Sequence, residues 1–197
     1  MTKNYKWGTE FKSDAPMHVV LFVSRNKDNA GVANFSDRRQ SFVTREPIDS
    51  KNLKKQFDLF VKAGVKGETS RMYYSVNARN EQKIYKELIH FMIDTPEFNI
   101  CAMNPKIASI AAKADCAATK HWMFDFDIDD ADKATEFIND IKSIDATVDV
   151  TAYKTPHGYA IVCNHGFDVR KLYEKWDRNL TDLKKDDLIC ISWKTKK

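Results

Sequence analysis

One ten-residue stretch, residues 121–130, constrains the fold of this chain more than any other. Its side chains alternate with a period of two, which is the pattern of a β-strand with one buried face. The apolar face would carry Trp122, Phe124, Phe126 and Ile128, and the other face Met123, Asp125, Asp127 and Asp129. Carboxylates spaced roughly 6–7 Å apart along one face repel one another, and a divalent cation or a cationic partner would neutralise them. The strand is therefore a candidate metal site, with a solvated acidic face as the alternative interpretation.

The composition is that of a globular protein. The 197 residues, of which 43% are hydrophobic, suffice for one sizeable domain or two small lobes. The net charge of +4 balances 32 basic against 28 acidic side chains, so basic patches can coexist with the acidic strand and nucleic acid is a permitted partner. The four cysteines lack the spacing of a zinc or disulfide framework and are expected to be reduced. No membrane span or signal segment is evident, so we expect a cytoplasmic protein without a membrane partner.

The first part of the chain, residues 1–119, predicts an N-terminal α/β unit of the order βαβα. Residues 1–16 are expected to be an extended lead-in. Strands are predicted at residues 17–23 and 71–77, and helices begin after the N-caps Ser50 and Asn80, with a further helix opened by Asn104 and Pro105. The polar segment 25–47 is predicted to be a loop that could bind a ligand, and its basic residues are Arg25, Lys27, Arg38, Arg39 and Arg45.

The second part, residues 120–197, predicts the order βαββαβ of a ferredoxin-like or RRM-like unit. Its strands are predicted at residues 121–128, 146–153, 159–163 and 187–193, with helices over 134–141 and 169–176. The predicted fold class is therefore α+β, with an N-terminal α/β (βαβα) unit packed on a C-terminal βαββαβ unit in one two-lobed domain.

In that fold the first strand lies between the third and the fourth, and both neighbours are antiparallel to it. The acidic strand should then end near Thr155 and His157, which precede the third strand, and near an acid at the start of the fourth, Asp186 or Asp187. Grouped carboxylates suit Mg²⁺ or Mn²⁺, which bridge to phosphates, so phosphoryl or nucleotidyl transfer follows. His157 would hold a triphosphate oxygen, or alternatively only cap the turn.

These motifs resemble those of the archaeo-eukaryotic primase superfamily, the primase-polymerase group common in phages and plasmids. Three apolar residues, Asp, an apolar residue, Asp and an apolar residue stand at 122–128, a small-x-His turn at 155–157, and a later acid at Asp187 or Asp168. The resemblance spans roughly residues 17–193 and implies a minimal, phage-type or plasmid-type member that joins nucleotides at a two-metal site. Asp125, Asp127 and Asp187 would then be the catalytic residues and the ligands of Mg²⁺ or Mn²⁺, and His157 would contact the triphosphate.

The resemblance further implies nucleoside triphosphates and single-stranded or primed nucleic acid as partners. The residues expected to contact substrate are Thr155, His157, Tyr159, Arg71 and Arg79. A non-catalytic RRM-like module that binds single-stranded nucleic acid is the main alternative, with Tyr159 stacking on a base. A phage-type protein-interaction or inhibitory factor, a two-metal nuclease and a nucleotide cyclase are also open, because fold does not fix function.

Overall fold

Two antiparallel sheets of four strands each form the centre of this computed structural model, which describes residues 15–197. The strands are β1 (His18–Ser24), β2 (Arg38–Thr44), β3 (Thr69–Ser75), β4 (Trp122–Phe126), β5 (Val150–Lys154), β6 (Tyr159–Cys163), β7 (Thr181–Lys184) and β8 (Leu188–Thr195). The helices are α1 (Lys51–Lys62), α2 (Glu81–Asp94), α3 (Met103–Ala111), α4 (Ala131–Ile144) and α5 (Leu172–Lys175). The predicted α+β class is confirmed at this level. The expected lead-in lies, up to residue 14, outside the described residues.

Three of the helices, α1, α2 and α4, begin where a polar side chain satisfies their first backbone N–H groups, whereas α3 begins at Met103 without a side-chain cap, so the N-cap predicted at Asn104 is wrong. The Ser50 hydroxyl accepts hydrogen bonds from the N–H groups of α1, and the Asn80 side chain does the same for α2, as the sequence predicted. Asp130, which directly follows the acidic strand, caps α4 in the same way. Within residues 15–197 no helix is long and apolar enough to cross a membrane.

The first sheet has the strand order β2-β1-β3-β8 and contains a strand that the sequence did not predict. Residues 38–44, interpreted as part of a loop, form β2 and pair with β1 over its whole length. Its only apolar residues are Phe42 and Val43, so it shows no strand pattern of its own, and pairing with the apolar β1 decides its conformation. The simple βαβα order expected for residues 1–119 therefore needs this correction.

The second sheet has the strand order β5-β6-β4-β7, and its edge strand also differs from the prediction. The strand beside β4 is the short β7, with Leu183 opposite Phe124. The strand predicted for that place, residues 187–193, instead forms β8 and pairs with β3 in the first sheet. Residues 187–193 were predicted as the neighbour of β4 because they form the longer apolar run, whereas β7 has a single aliphatic residue. Because β7 belongs to the second sheet and the next strand, β8, belongs to the first, the last part of the chain connects the two sheets.

Each sheet has its own core on one face. The rings of Phe124 and Phe126 in β4 lie with their centroids 5.2 and 5.1 Å from that of Phe137 in α4, and all three side chains are fully buried. In the first sheet Phe22 packs against α1 through Phe57, at a centroid distance of 5.4 Å. Burial of such rings is the main favourable term for both units.

The opposite faces of the two sheets pack against each other through a smaller cluster formed by Val76, Met123, Ala160 and Ile189. Because side chains alternate along a strand, the remaining residues on these faces must line the space between the sheets. In β1 these are Leu21 and Val23. A cavity lies in this space.

Two leucines of α1 provide a test of this core. Leu53 is 1% exposed and Leu59 is 66% exposed, so the same truncation removes buried contacts at only one of them. We expect Leu53→Ala to lower the free energy of unfolding by about 2–5 kcal/mol. Leu59→Ala, the matched control, should change it by less than about 0.5 kcal/mol. Urea unfolding followed by circular dichroism measures both, and equal effects would contradict the described position of α1.

Candidate functional site

A cavity of about 490 Å³ opens between the two sheets, a size typical of small-molecule sites. Acidic side chains line one part of it: Asp125 and Asp127 at β4, and Asp187 just before β8. Basic side chains from the first sheet and the segment after β1 line another part: Arg25, Lys27, Arg39 and Arg71. Thr155 and His157 lie at the same cavity. Six of the residues predicted as functional are thus brought together.

The acidic part exists because β4 alternates as predicted. Phe124 and Phe126 are fully buried, which turns Asp125 into the cavity, where it is partly buried, and Asp127 follows as an exposed residue. Burial and the negative charge of Asp127 raise the pKa of Asp125, and the nearby Lys184 opposes them. Neither Asp125 nor Asp127 has an ion-pair or side-chain hydrogen-bond partner among residues 15–197, since Lys184 is itself paired with Asp182. The repulsion between the two carboxylates is therefore not relieved by a direct cationic partner.

The turn that carries His157 is held against the end of β4. The Thr155 N–H donates a hydrogen bond to the Gly158 carbonyl at 3.0 Å, which closes the turn. A Cβ atom on Gly158 would lie 2.0 Å from the carbonyl oxygen of Phe126, so this close approach requires glycine. The side chain of His157 is therefore positioned at the same end of β4 as Asp127.

On the opposite side of the cavity, Arg71 of β3 connects the two sheets. Its side chain is 9% exposed, and its Nη2 lies 2.5 Å from Asp28 and 3.3 Å from Nε2 of His157. Arg25 donates to the other oxygen of Asp28 at 2.8 Å. Burial, which raises the pKa of Asp28, is outweighed by the hydrogen bond from Arg25 and the charge of Arg71, so the pKa lies below its usual range. Two guanidinium groups therefore surround one carboxylate, which is an arrangement that also suits a phosphate.

Sequence reasoning missed Asp28 as part of this site. Nothing in the sequence distinguishes Asp28 from the other acids of its segment, and only the fold shows that Arg71, which is 43 positions further along the chain, reaches it. The Nε atom of Arg71 is buried without a partner among the described residues.

Arg79, which was expected to contact substrate, lies outside the cavity. Its two terminal nitrogens donate to both oxygens of Asp186 at 2.8 and 2.9 Å, and its side chain is 2% exposed. Asn77 donates a further hydrogen bond to Asp186 at 3.1 Å. The prediction for Arg79 is therefore corrected: its guanidinium is used in a buried ion pair between β3 and the turn before β8.

The surroundings of Asp168, Asp186 and Asp187, the three candidates for the late acid, show which of them lies at the cavity. Asp186 is held by Arg79, whereas its neighbour Asp187 lines the cavity and its charge helps to raise the pKa of Asp125. Asp168 lies in an exposed pair with Arg170, which lowers the pKa of Asp168 to about 2, and it does not line the cavity. Of the three, Asp187 is the acid that lines the cavity.

Tyr159 also lies outside the cavity. It packs at the margin of the core between β4, β6 and α4, and the Nζ atom of Lys154 lies 4.4 Å from its ring centroid. Its neighbours Ala160 and Val162 face the first sheet instead. In an RNA-recognition domain the stacking aromatic stands on the open face of the sheet. Here that face is covered, so the stacking role expected for Tyr159 is corrected.

The acidic residues form a pair rather than a complete metal site. Among the described residues, no group of three or more His, Cys, Asp or Glu side chains is arranged to hold a metal ion. The expected cluster of Asp125, Asp127 and Asp187 is thus not formed by these side chains. Mg²⁺, however, is often bound by one or two carboxylates together with water and substrate phosphates. The donor set fits Mg²⁺ or Mn²⁺ when a phosphate supplies further oxygen ligands.

Comparison of the chain with models of protein families, with curated proteins and with solved structures finds no match in any of the three. Functional inference therefore depends on the geometry of this cavity.

The adjacent residues Asp186 and Asp187 should respond differently to truncation. Asp186→Ala leaves the buried guanidinium of Arg79 without its partner, so we expect a loss of roughly 3–5 kcal/mol in the free energy of unfolding. Asp187→Ala removes a like charge near Asp125 together with an exposed hydrogen bond from the Leu188 N–H, so we expect it to change stability by less than about 1 kcal/mol. Chemical denaturation of both variants tests this, and a larger loss for Asp187→Ala would refute the assignment.

The raised pKa of Asp125 predicts a pH dependence of stability. Between the unfolded pKa of about 3.9 and the raised folded pKa, the folded state binds the extra proton, so stability falls as the pH rises through this window. Asp125→Asn removes this effect and should raise the melting temperature above that of the wild type at pH 7. The advantage should shrink as the pH approaches about 4. Asp168→Asn is the control, because the pKa of Asp168 is lowered, and it should give no gain at pH 7.

Proposed function

We propose that this protein is a metal-dependent nucleotidyltransferase of primase-polymerase type, acting on nucleoside triphosphates and nucleic acid. The observation that carries the proposal is the meeting, in one cavity, of a set of basic side chains with Asp125 and Asp127, two carboxylates that have no ion-pair partner among residues 15–197. A ligand with both a polyphosphate and a bound divalent cation satisfies both parts at once. A cation alone would not account for the basic side chains of the cavity, and a phosphate alone would not account for its two carboxylates.

The arrangement of the second sheet supports the finer fold assignment, a ferredoxin-like C-terminal unit. The chain order β4-α4-β5-β6-α5-β7, with β4 and β6 central and all pairs antiparallel, is that expected for a βαββαβ unit. In this proposal β7 takes the place predicted for residues 187–193. The acidic strand is then the first strand of the unit, as the resemblance to the primase superfamily implies.

The proposed roles follow from the positions of the side chains. Asp125 and Asp127 would hold Mg²⁺ or Mn²⁺, and Asp187 would add negative charge at the same site. A divalent cation supplies charge stabilisation at the phosphoryl oxygens in such a reaction. Arg71 and His157, which contact each other, would bind the same phosphate group, and Thr155 would support the turn that carries His157.

Asp28 has a positioning role in this proposal. Because it holds both Arg25 and Arg71, it keeps two long side chains ordered at the cavity before substrate binds. Ordering of this kind lowers the entropic cost of phosphate binding. The charges of Lys27 and Arg39, which have no ion-pair partner among residues 15–197, remain available to the ligand.

The decisive experiment is nucleotide incorporation on primed and unprimed templates with Mg²⁺ or Mn²⁺. We expect incorporation by the wild type and a loss of at least roughly a hundredfold in Asp125→Asn and Asp127→Asn, because several kcal/mol of charge stabilisation disappears. His157→Ala should mainly raise the KM for the nucleotide. Asp168→Asn, an acid outside the cavity, should retain activity.

The proposal fails if the wild type incorporates no nucleotide with either metal and if metal with a non-hydrolysable triphosphate leaves its melting temperature unchanged. A ligand that binds the folded state must raise that temperature. Strand binding that depends neither on metal nor on Asp125 and Asp127 would instead favour the RRM-like alternative.

A further inference from the structure

A second cavity, of about 480 Å³, adjoins the first and shares one residue with it, Arg39. It runs between the edge strand β2 and the beginning of α3. Its lining residues from β2 are Arg39, Gln40, Ser41, Phe42 and Val43, and those from other segments are Gln56, Cys101, Asn104, Pro105 and Ile107. We call this second cavity the β2 groove. The proposed catalytic cavity therefore has a lateral extension that a single nucleotide does not require.

The chemistry of the β2 groove favours an anionic ligand with many hydrogen-bonding groups. Its described lining contains one guanidinium, the amides of Gln40, Gln56 and Asn104, and one hydroxyl, but no carboxylate. Amide side chains both donate and accept, as recognition of base edges and sugars requires. A lining with a cation and without an acid does not suit a cationic or a purely apolar partner.

Arg39 is the cation available at the junction of the two cavities. It is exposed and has no ion-pair partner among residues 15–197. Its neighbour Arg38 points to the other face of β2, where it forms an ion pair with the buried Glu68 and lies over the ring of Phe60. The alternation of a strand therefore assigns one arginine to the core and the other to the cavities.

We propose that the β2 groove binds a single-stranded nucleic acid that continues into the catalytic cavity, with a backbone phosphate at Arg39. This inference rests on the proposed function, because the reacting end of the strand lies at Asp125 and Asp127. A single strand fits better than a duplex, since only unpaired bases expose their Watson–Crick edges to the amides of the groove. Phosphate contact at the junction fixes the position of the strand, and the amides contact the nucleotides beyond it.

The test is strand binding without metal or nucleotide, measured by fluorescence anisotropy with labelled single-stranded DNA and RNA over a range of salt concentrations. Arg39→Ala should weaken binding roughly three- to tenfold and lower the salt slope by about 0.7, the value for one lost phosphate contact. The double variant Gln56→Ala/Asn104→Ala should weaken binding without changing the slope. Arg170→Ala, which removes the same charge outside both cavities, should leave affinity and slope unchanged.

The outcomes separate this inference from the proposed function. Equal affinities of Arg39→Ala and Arg170→Ala would overturn the groove assignment, even if the wild type incorporates nucleotides. Binding that depends on Arg39 in the catalytically impaired variant Asp125→Asn would support the groove even if no variant is active. Preference for a labelled acidic peptide over the nucleic acid would also overturn it. Because Arg39 is exposed, we expect circular dichroism to show Arg39→Ala folded.

Discussion

The buried ion pair between Arg79 and Asp186 determines how the two sheets are joined. A guanidinium that is 2% exposed is tolerated only with a partner, so this pair fixes the turn between β7 and β8 against the end of β3. Asn77 adds to the same junction, because its side chain bonds the backbone of His121 and of Lys185 as well as Asp186. With the turn fixed, β7 pairs with β4 while β8 pairs with β3. The distance between the two sheets, and with it the cavity, follows from this junction.

Within the cavity, two of the basic side chains have a carboxylate partner, whereas the two carboxylates of the acidic strand have no ion-pair partner among the described residues. Packing alone does not require this difference. Asp28 pairs with both Arg25 and Arg71, whereas Asp125 and Asp127 have no comparable partner among residues 15–197. A fold that needed only stability would gain by placing a lysine at the acidic pair, since a raised pKa reflects an unfavourable interaction. A cost of this kind at a cavity is more consistent with a ligand that brings its own positive charge.

The sequence predicted those elements whose own pattern is strong. The acidic strand, the strand at residues 159–163 and the caps at Ser50 and Asn80 lie where predicted, because period-two alternation and capping are local properties. The strands β2 and β7 were not predicted. Each has few apolar residues and depends on pairing with an apolar neighbour, β1 or β4, which is a property of the tertiary structure.

At the site, too, the sequence predicted what depends on neighbouring elements and did not predict what depends on contacts between distant parts of the chain. Asp125, Asp127, Thr155 and His157 could be brought together from sequence because they lie on connected elements of one unit. The choice between Asp186 and Asp187 could not be made, because it depends on Arg79 from the other sheet. The misassigned partner of β4 did not remove Asp187 from the cavity, since the turn before β8 passes close to β4 in either arrangement.

The unpredicted strand β2 places one of the basic side chains of the cavity, Arg39. As a loop, residues 25–47 would give no reason to distinguish Arg38 from Arg39. As β2, the segment alternates in register with β1, so Arg39 stands opposite Val23, which lines the cavity, and Arg38 stands opposite Ser24. Glu68 then accepts Arg38 on the side of α1 and leaves Arg39 to the solvent and to a ligand. The pairing of an edge strand thus determines which of two adjacent, chemically identical side chains lines the cavity and which forms the ion pair with Glu68.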